Sequence, residues 1–224
     1  MPMSQRAPRT SGELDVAIPI GQARLPGTLA LPAQAHGVVV FAHGSGSSRL
    51  SPRNRQVARV LFDAGLGTLL FDLLTPDEDR DYATRFDIAL LSSRLAAATR
   101  WLRTAPAATG LPIGYFGAST GAAAALVAAA EPGMAIGAVV SRGGRPDLAG
   151  DDALGRVSAP TLLIVGGEDH TVIALNRGAY ARLGCEKALQ IVPGATHLFE
   201  EPGTLETVAA LACGWFVRWL APAV

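Results

Sequence analysis

Six short, predominantly apolar runs limit what this chain can fold into more than any other feature of its sequence. They occupy residues 38–42, 67–71, 113–116, 136–140, 161–165 and 188–192. A run that is apolar at every position, rather than at every second one, suits a strand buried on both faces, and such strands belong to parallel sheets. The segments between the runs carry helical signatures. Ser51-Pro52 reads as an N-cap followed by a first-turn proline, and Val57, Val60, Leu61 and Ala64 then form an apolar face that stops near Gly65. Residues 86–102 repeat the pattern with Ile88, Leu91, Leu95, Ala98 and Leu102. Residues 120–131 are nearly all small, which lets a helix lie close to a sheet, and further helices are expected at 173–183 and 204–220. This alternation predicts an α/β fold: a single doubly wound, mostly parallel sheet with helices on both faces. Two strand-like segments, 13–20 and 23–31, meet at Gly21-Gln22 and predict an antiparallel hairpin at the N-terminal edge. Residues 1–12 are expected to form a flexible segment and residues 13–224 one domain, since no repeat, linker or composition break interrupts them.

Composition narrows the function. The chain has 224 residues, 49% of them hydrophobic and only 17% charged, enough to bury the core of one α/β domain. Its formal net charge is zero and no basic stripe appears, so nucleic acid and anionic membranes are not expected partners, and a small molecule is. The longest apolar run, 122–130, is too short to span a bilayer, and the polar first residues lack the apolar core of a signal peptide, so a cytoplasmic protein is expected. Cys185 and Cys213 lack metal-ligand spacing and are expected to be buried, reduced thiols.

Doubly wound folds place their chemistry at the carboxyl ends of the strands. There the chain carries Gly117-Ala118-Ser119-Thr120-Gly121, after an apolar run and before an alanine-rich helical segment. That context predicts a strand-turn-helix elbow with Ser119 as nucleophile, the alternative being a serine that merely caps the helix. A hydroxyl needs a base to become a nucleophile. Of the four histidines, His36 precedes the first parallel strand, His43 follows it, and His170 adjoins the most plausible acid. His197 lies between the last run and the last helix and is the candidate base. Asp169, directly after the run at 161–165, is the candidate acid that orients the imidazole. Glu168 is its immediate rival and Asp147 a more distant one, and either aspartate is also a candidate helix cap. The developing oxyanion needs two backbone donors. Thr120 N–H is one, and the turn His43-Gly44-Ser45-Gly46-Ser47-Ser48 supplies the other from Ser45, with Gly46 left open.

The HGSGSS turn, GASTG elbow, GGEDHTV acid loop and GATHLF histidine loop, in this order and spacing, resemble the α/β-hydrolase superfamily and within it the dienelactone hydrolase-like group. SPRNRQVA, FDLLT and SRGGRPDLAG are similar to segments of a serine-bearing branch of that group. Dienelactone hydrolases proper use a cysteine nucleophile, whereas position 119 is serine, so that reaction is not carried over. The resemblance implies a serine hydrolase acting on a small carboxylic ester or lactone through an acyl-enzyme on Ser119, without metal or organic cofactor. Thioester or amide hydrolysis, perhydrolase or acyltransferase chemistry on the same triad, and a catalytically silent ligand-binding protein remain open alternatives. The short connection between the runs at 136–140 and 161–165 leaves little or no cap, which predicts an open cleft and a short acyl group. Arg142, Arg145, Arg49 and Arg53 are candidates to meet an anionic substrate, or else are solvated or paired.

Overall fold

The computed structural model describes residues 12–221, so the expected flexible segment lies, apart from Gly12, outside the described residues. Strands β1 (Gly12–Ile20) and β2 (Ala23–Leu31) pair antiparallel across the turn at Gly21-Gln22, which makes the predicted hairpin. Six further strands extend it: β3 (Val38–Ala42), β4 (Gly67–Phe71), β5 (Ile113–Ala118), β6 (Ala138–Arg142), β7 (Thr161–Gly166) and β8 (Lys187–Val192). The eight-stranded sheet has the order β1-β2-β4-β3-β5-β6-β7-β8. β2 meets β4 antiparallel, and every pairing beyond β4 is parallel. The chain turns outward from β3 to β4 and then returns to β5 on the other side of β3. The loops that leave β3 and β5 therefore diverge, and this is where an open α/β sheet forms its crevice.

Every residue of β3, β4, β5, β6 and β7 is buried, as their continuous apolar character requires. Alternate side chains feed two cores. Val38, Val40, Tyr115, Val139 and Leu163 pack with residues of the second to fifth helices, whereas Val39, Phe41, Phe116, Val140 and Ile164 pack with residues of the first and last helices. The helices are α1 (Pro52–Asp63), α2 (Ile88–Thr104), α3 (Thr120–Ala129), α4 (Asp151–Arg156), α5 (His170–Arg182) and α6 (Thr204–Leu220). Ser51 caps α1 by accepting from Asn54 N–H, and Pro52 fills its first turn.

Several boundaries differ from the sequence reading, each for a local reason. β6 lies two residues later than its apolar run, because its register with β5 continues through Ser141 and Arg142, both polar and both buried. β8 is an outer strand with a single neighbour, so only its last residue, Val192, is buried. Helix α2 starts after Asp87, whose Oδ1 accepts the Leu90 N–H at 2.9 Å, and not at Phe86. α5 begins at His170, and α4, which carries no long apolar stripe, was not expected. Cys185 and Cys213 are free thiols but only half-buried. No helix among the described residues is long and apolar enough to cross a membrane.

Helix α6 is fastened to the sheet by Phe216, which is fully buried beside Gly114 of β5. A β-carbon at Gly114 would come within 2.7 Å of the Phe216 ring, so the bare strand backbone provides the seat. Phe216→Ala is expected to cost about 3–5 kcal/mol of stability, the range for an aromatic truncated in a close-packed core, read as a lower urea midpoint at unchanged m-value.

Candidate active site

Ser119 is the single residue between β5 and α3, and its backbone is at φ 52° and ψ −120°. Positive φ is strained for a residue with a side chain, and the surroundings impose it. Ser119 N–H donates to the Arg142 carbonyl at 3.2 Å, while the Ser119 carbonyl accepts from Ala122 N–H and Arg145 N–H, each at 3.1 Å. The flanking glycines make the turn possible. A β-carbon at Gly121 would lie 2.1 Å from the Ala42 carbonyl oxygen, and one at Gly117 would lie 2.4 Å from the Ala122 α-carbon. Ser119 occupies the N-cap position of α3 but its side chain makes no capping hydrogen bond, so the hydroxyl is not used as a cap.

His197 and Asp169, far apart in sequence, are brought together. The imidazole Nδ1 lies 2.6 Å from Asp169 Oδ2, and the side chains are 39% and 15% exposed respectively. Asp169 is the N-cap residue of α5, yet its carboxylate is turned to the histidine instead of the helix. The two loops are joined by their backbones: Gly167 N–H donates to the Val192 carbonyl at 2.8 Å and Glu168 N–H to the Ala195 carbonyl at 3.0 Å. Glu201 secures the histidine loop from the other end, receiving the Thr196 N–H at 3.1 Å and the Thr196 hydroxyl at 2.5 Å. That hydroxyl contact also holds the Glu201 carboxyl below its ordinary pKa. The imidazole stands against the segment that secures Ser119, since a β-carbon at Gly143 would lie 3.6 Å from His197 Cε1. The rival acid Asp147 is not beside the histidine; it receives two hydrogen bonds from Arg145 at 2.9 and 2.7 Å and provides no side-chain helix cap. Glu168 has no side-chain hydrogen bond among the described residues.

The turn after β3 approaches the elbow directly. Ser45 N–H donates to the Thr120 hydroxyl oxygen at 2.9 Å, which joins the two predicted oxyanion residues but gives the Ser45 amide an internal acceptor. Thr120 N–H, in the first turn of α3, has no acceptor of this kind among the described residues. His43, set aside in the sequence reading, holds the turn in place. Its buried ring donates from Nδ1 to the Gly44 carbonyl at 3.0 Å and accepts the Leu73 N–H on Nε2 at 3.0 Å, which fixes a neutral tautomer. Burial pushes its pKa below the ordinary 6.5, against a smaller opposing effect from the Gly44 carbonyl. Neither contact leaves a local mark in the sequence, because Thr120 and Leu73 lie 75 and 30 residues from their partners.

The four candidate arginines separate clearly. Arg145 is paired with Asp147, Arg49 with Asp72 at 2.8 Å and Arg53 with Glu200 at 2.8 Å. Arg142 is buried and has no ion pair or hydrogen bond from its side chain among the described residues.

Residues 25–221 match the model of the Dienelactone hydrolase family. Two Mycobacterium tuberculosis proteins, provisionally named phosphoribosyl transferases, are each 62% identical over 206 residues; the match takes in 92% of this chain and 46% of theirs, so the chain spans about half the length of these curated relatives. The crystal structure of a dienelactone hydrolase from Anabaena variabilis superposes with a TM-score of 0.90 at 57% identity, covering 94% of this chain and 99% of that one. Est1E from Butyrivibrio proteoclasticus shares the fold, with a TM-score of 0.78 at 16% identity over 92% of this chain and 98% of its own.

Gly121→Ala is expected to disrupt the elbow, because its added carbon would overlap the Ala42 and His43 carbonyls. The outcome is a protein destabilised by roughly 2 kcal/mol or more in chemical unfolding, in the range of overpacking a rigid contact. His43 predicts a pH dependence. Its folded pKa is depressed, so the unfolded chain takes up a proton that the folded protein refuses. The resulting stability is complete above pH 6.5 and is lost as pH falls from there toward the folded pKa. Urea midpoints measured from pH 8 to pH 5 should fall in the wild type, and His43→Gln should flatten that part of the profile.

Proposed function

The chain belongs to the dienelactone hydrolase family, and from that premise we propose that it is a serine hydrolase cleaving a small carboxylic ester or lactone through an acyl-enzyme on Ser119. The observation that carries the reading is that a strained Ser119, whose hydroxyl makes no helix-capping bond, stands on the same edge of the sheet as the His197–Asp169 couple.

Each group then has a defined task. Ser119 Oγ attacks the substrate carbonyl and passes its proton to His197 Nε2. Asp169, already on Nδ1, selects the tautomer with a free Nε2 and stabilises the imidazolium that forms. Thr120 N–H and Ser45 N–H receive the oxyanion, the latter exchanging its Thr120 hydroxyl partner for the developing charge. Collapse expels the alcohol with the proton from His197. A water deprotonated by the same imidazole then attacks the acyl-enzyme, and Ser119 is regenerated. In a lactone the alcohol stays tethered to the acyl group, but the bonds formed and broken are the same.

The connection from β6 to β7 supports a small or permissive acyl site. It holds only a short 3-10 turn at Pro146–Ala149 and the six-residue α4, not a large cap. The transferase name of the Mycobacterium tuberculosis relatives belongs to chains of which this one matches 46%. Phosphoribosyl transfer is not carried to this chain, whose site is organised around a hydroxyl with its own imidazole–carboxylate couple.

A fluorophosphonate probe tests the reading. Wild-type protein should be labelled at Ser119 and should hydrolyse p-nitrophenyl esters with a preference for short acyl chains. Ser119→Ala should not label, and His197→Ala should lose at least about 10³-fold in kcat/KM, as expected when the base of a triad is removed. Absence of labelling on folded wild-type protein would sink the proposal.

A further inference from the structure

β6 ends in a buried cation that has no counter-ion among the described residues. Arg142, the last residue of β6, is only 8% exposed, and its Nε and Nη1 are sealed from solvent without an acceptor among the described residues. Its side chain leaves the sheet toward α1 and α6, because Ala138 and Val140, four and two residues earlier on the same strand, pack in that core. There it meets a second cation. Arg53, in the first turn of α1, also has a sealed Nε without an acceptor, and its Nη1 donates at 2.8 Å to Glu200, whose side chain is 62% exposed. Burial first, and the Arg53 charge second, lower the Arg142 pKa to about 10, which still leaves the guanidinium charged at neutral pH. A buried charge is normally paired, because its lost hydration must be replaced by something. Here the chain supplies another cation instead.

We propose that Arg142 and Arg53, at the N-terminus of α1, form a binding site for a small oxyanion, the carboxylate or phosphoryl group of a ligand held beside the histidine loop. Three features converge on negative charge. The two guanidinium groups present three sealed, unmatched N–H-bearing nitrogens, and their planar forks suit the oxygens of such groups. The first turn of the twelve-residue α1 adds the positive end of its dipole. Among the described residues the one carboxylate paired with either arginine is Glu200, whose side chain is 62% exposed and can give way. The site is also next to the chemistry. The Arg142 carbonyl receives the Ser119 N–H, and Glu200 lies three residues after His197, so an anion that draws Arg53 from Glu200 acts on the loop that holds the base.

Inorganic phosphate, titrated at constant ionic strength against chloride, tests the site without requiring turnover, so its result is independent of the hydrolase assignment. Wild-type protein should show a saturable rise in Tm. Arg53→Gln should weaken half-saturation by about tenfold or more, the effect of losing a charge-assisted contact. Arg142→Met should raise Tm in anion-free buffer, because it removes an unpaired buried charge, and should abolish the response to phosphate. If Arg142→Met does not fold, the comparison of wild type with Arg53→Gln decides. A second arm identifies the source of the anion, using p-nitrophenyl monoesters of glutarate and of pentanoate. Phosphate that raises KM for the anionic ester alone supports a subsite for the substrate's own acid group, whereas an equal change for both esters supports a separate small-anion effector. A phosphate response that does not saturate, or that is the same in wild type and both variants, overturns the proposal and leaves surface ion association only.

Discussion

The close approach of α3 to the end of β3 is the constraint on which the rest of the structure depends. At Gly121 the helix backbone comes so near the Ala42 and His43 carbonyls that no side chain fits between them. That contact holds the helix start directly against the sheet, leaves one residue to connect β5 with α3, and forces Ser119 into positive φ. The strain is maintained from three directions, by Arg142, Ala122 and Arg145, so relaxing it would break backbone hydrogen bonds in β6, α3 and the following turn together. The same approach brings Thr120 to Ser45 and so fixes the distance between the elbow and the turn after β3.

Buried polar groups then stabilise the loops that the sheet itself cannot reach. His43 ties the end of β3 to the chain leaving β4, and its neutral ring satisfies one donor and one acceptor without bringing a charge into the core. Asn176 on α5 performs a similar task at the other side, donating to the Gly144 and Val172 carbonyls at 2.9 and 2.8 Å. The segment from Arg142 to Arg145 is thereby held to the elbow on one side and to α5 on the other. A side chain positioned by backbone hydrogen bonds, as Ser119 is, depends on the rigidity of what those bonds attach to, and Asn176 and the Arg145–Asp147 pair supply it.

What was legible in the sequence follows from the range of the interactions involved. The five central strands are buried on both faces, so their apolar runs report them directly; Pro52, Gly117 and Gly121 mark local backbone requirements and are equally visible. Ser119, Asp169 and His197 were legible as candidates because each follows a strand, and the structure brings His197 and Asp169 into contact and sets both on the edge that carries Ser119. The end of β6 was not legible, because Ser141 and Arg142 look like loop residues and are strand only by their pairing with β5. The half-exposed state of β8 was hidden for a related reason, since edge position is a property of strand order and not of composition. The parts played by His43 and the Thr120 hydroxyl depend on partners distant in sequence, and no local pattern encodes them.

These constraints divide the site into two mechanically different halves. The elbow and the turn after β3 rest on central strands, where every side chain is buried and the backbone is paired on both sides. The acid and histidine loops follow β7 and the outer strand β8, and they hold their relation chiefly through the two backbone bonds from Gly167 and Glu168. Local opening of a protein concentrates at edges with few buried contacts, and the histidine half is the part of the site built on such an edge. Buried Phe199, at φ 57°, and the Glu201 contacts to Thr196 anchor the two ends of the turn that carries His197. Ser119 thus stands on the half with the denser packing, while His197, 39% exposed in its side chain, is carried by the half built on the outer strand.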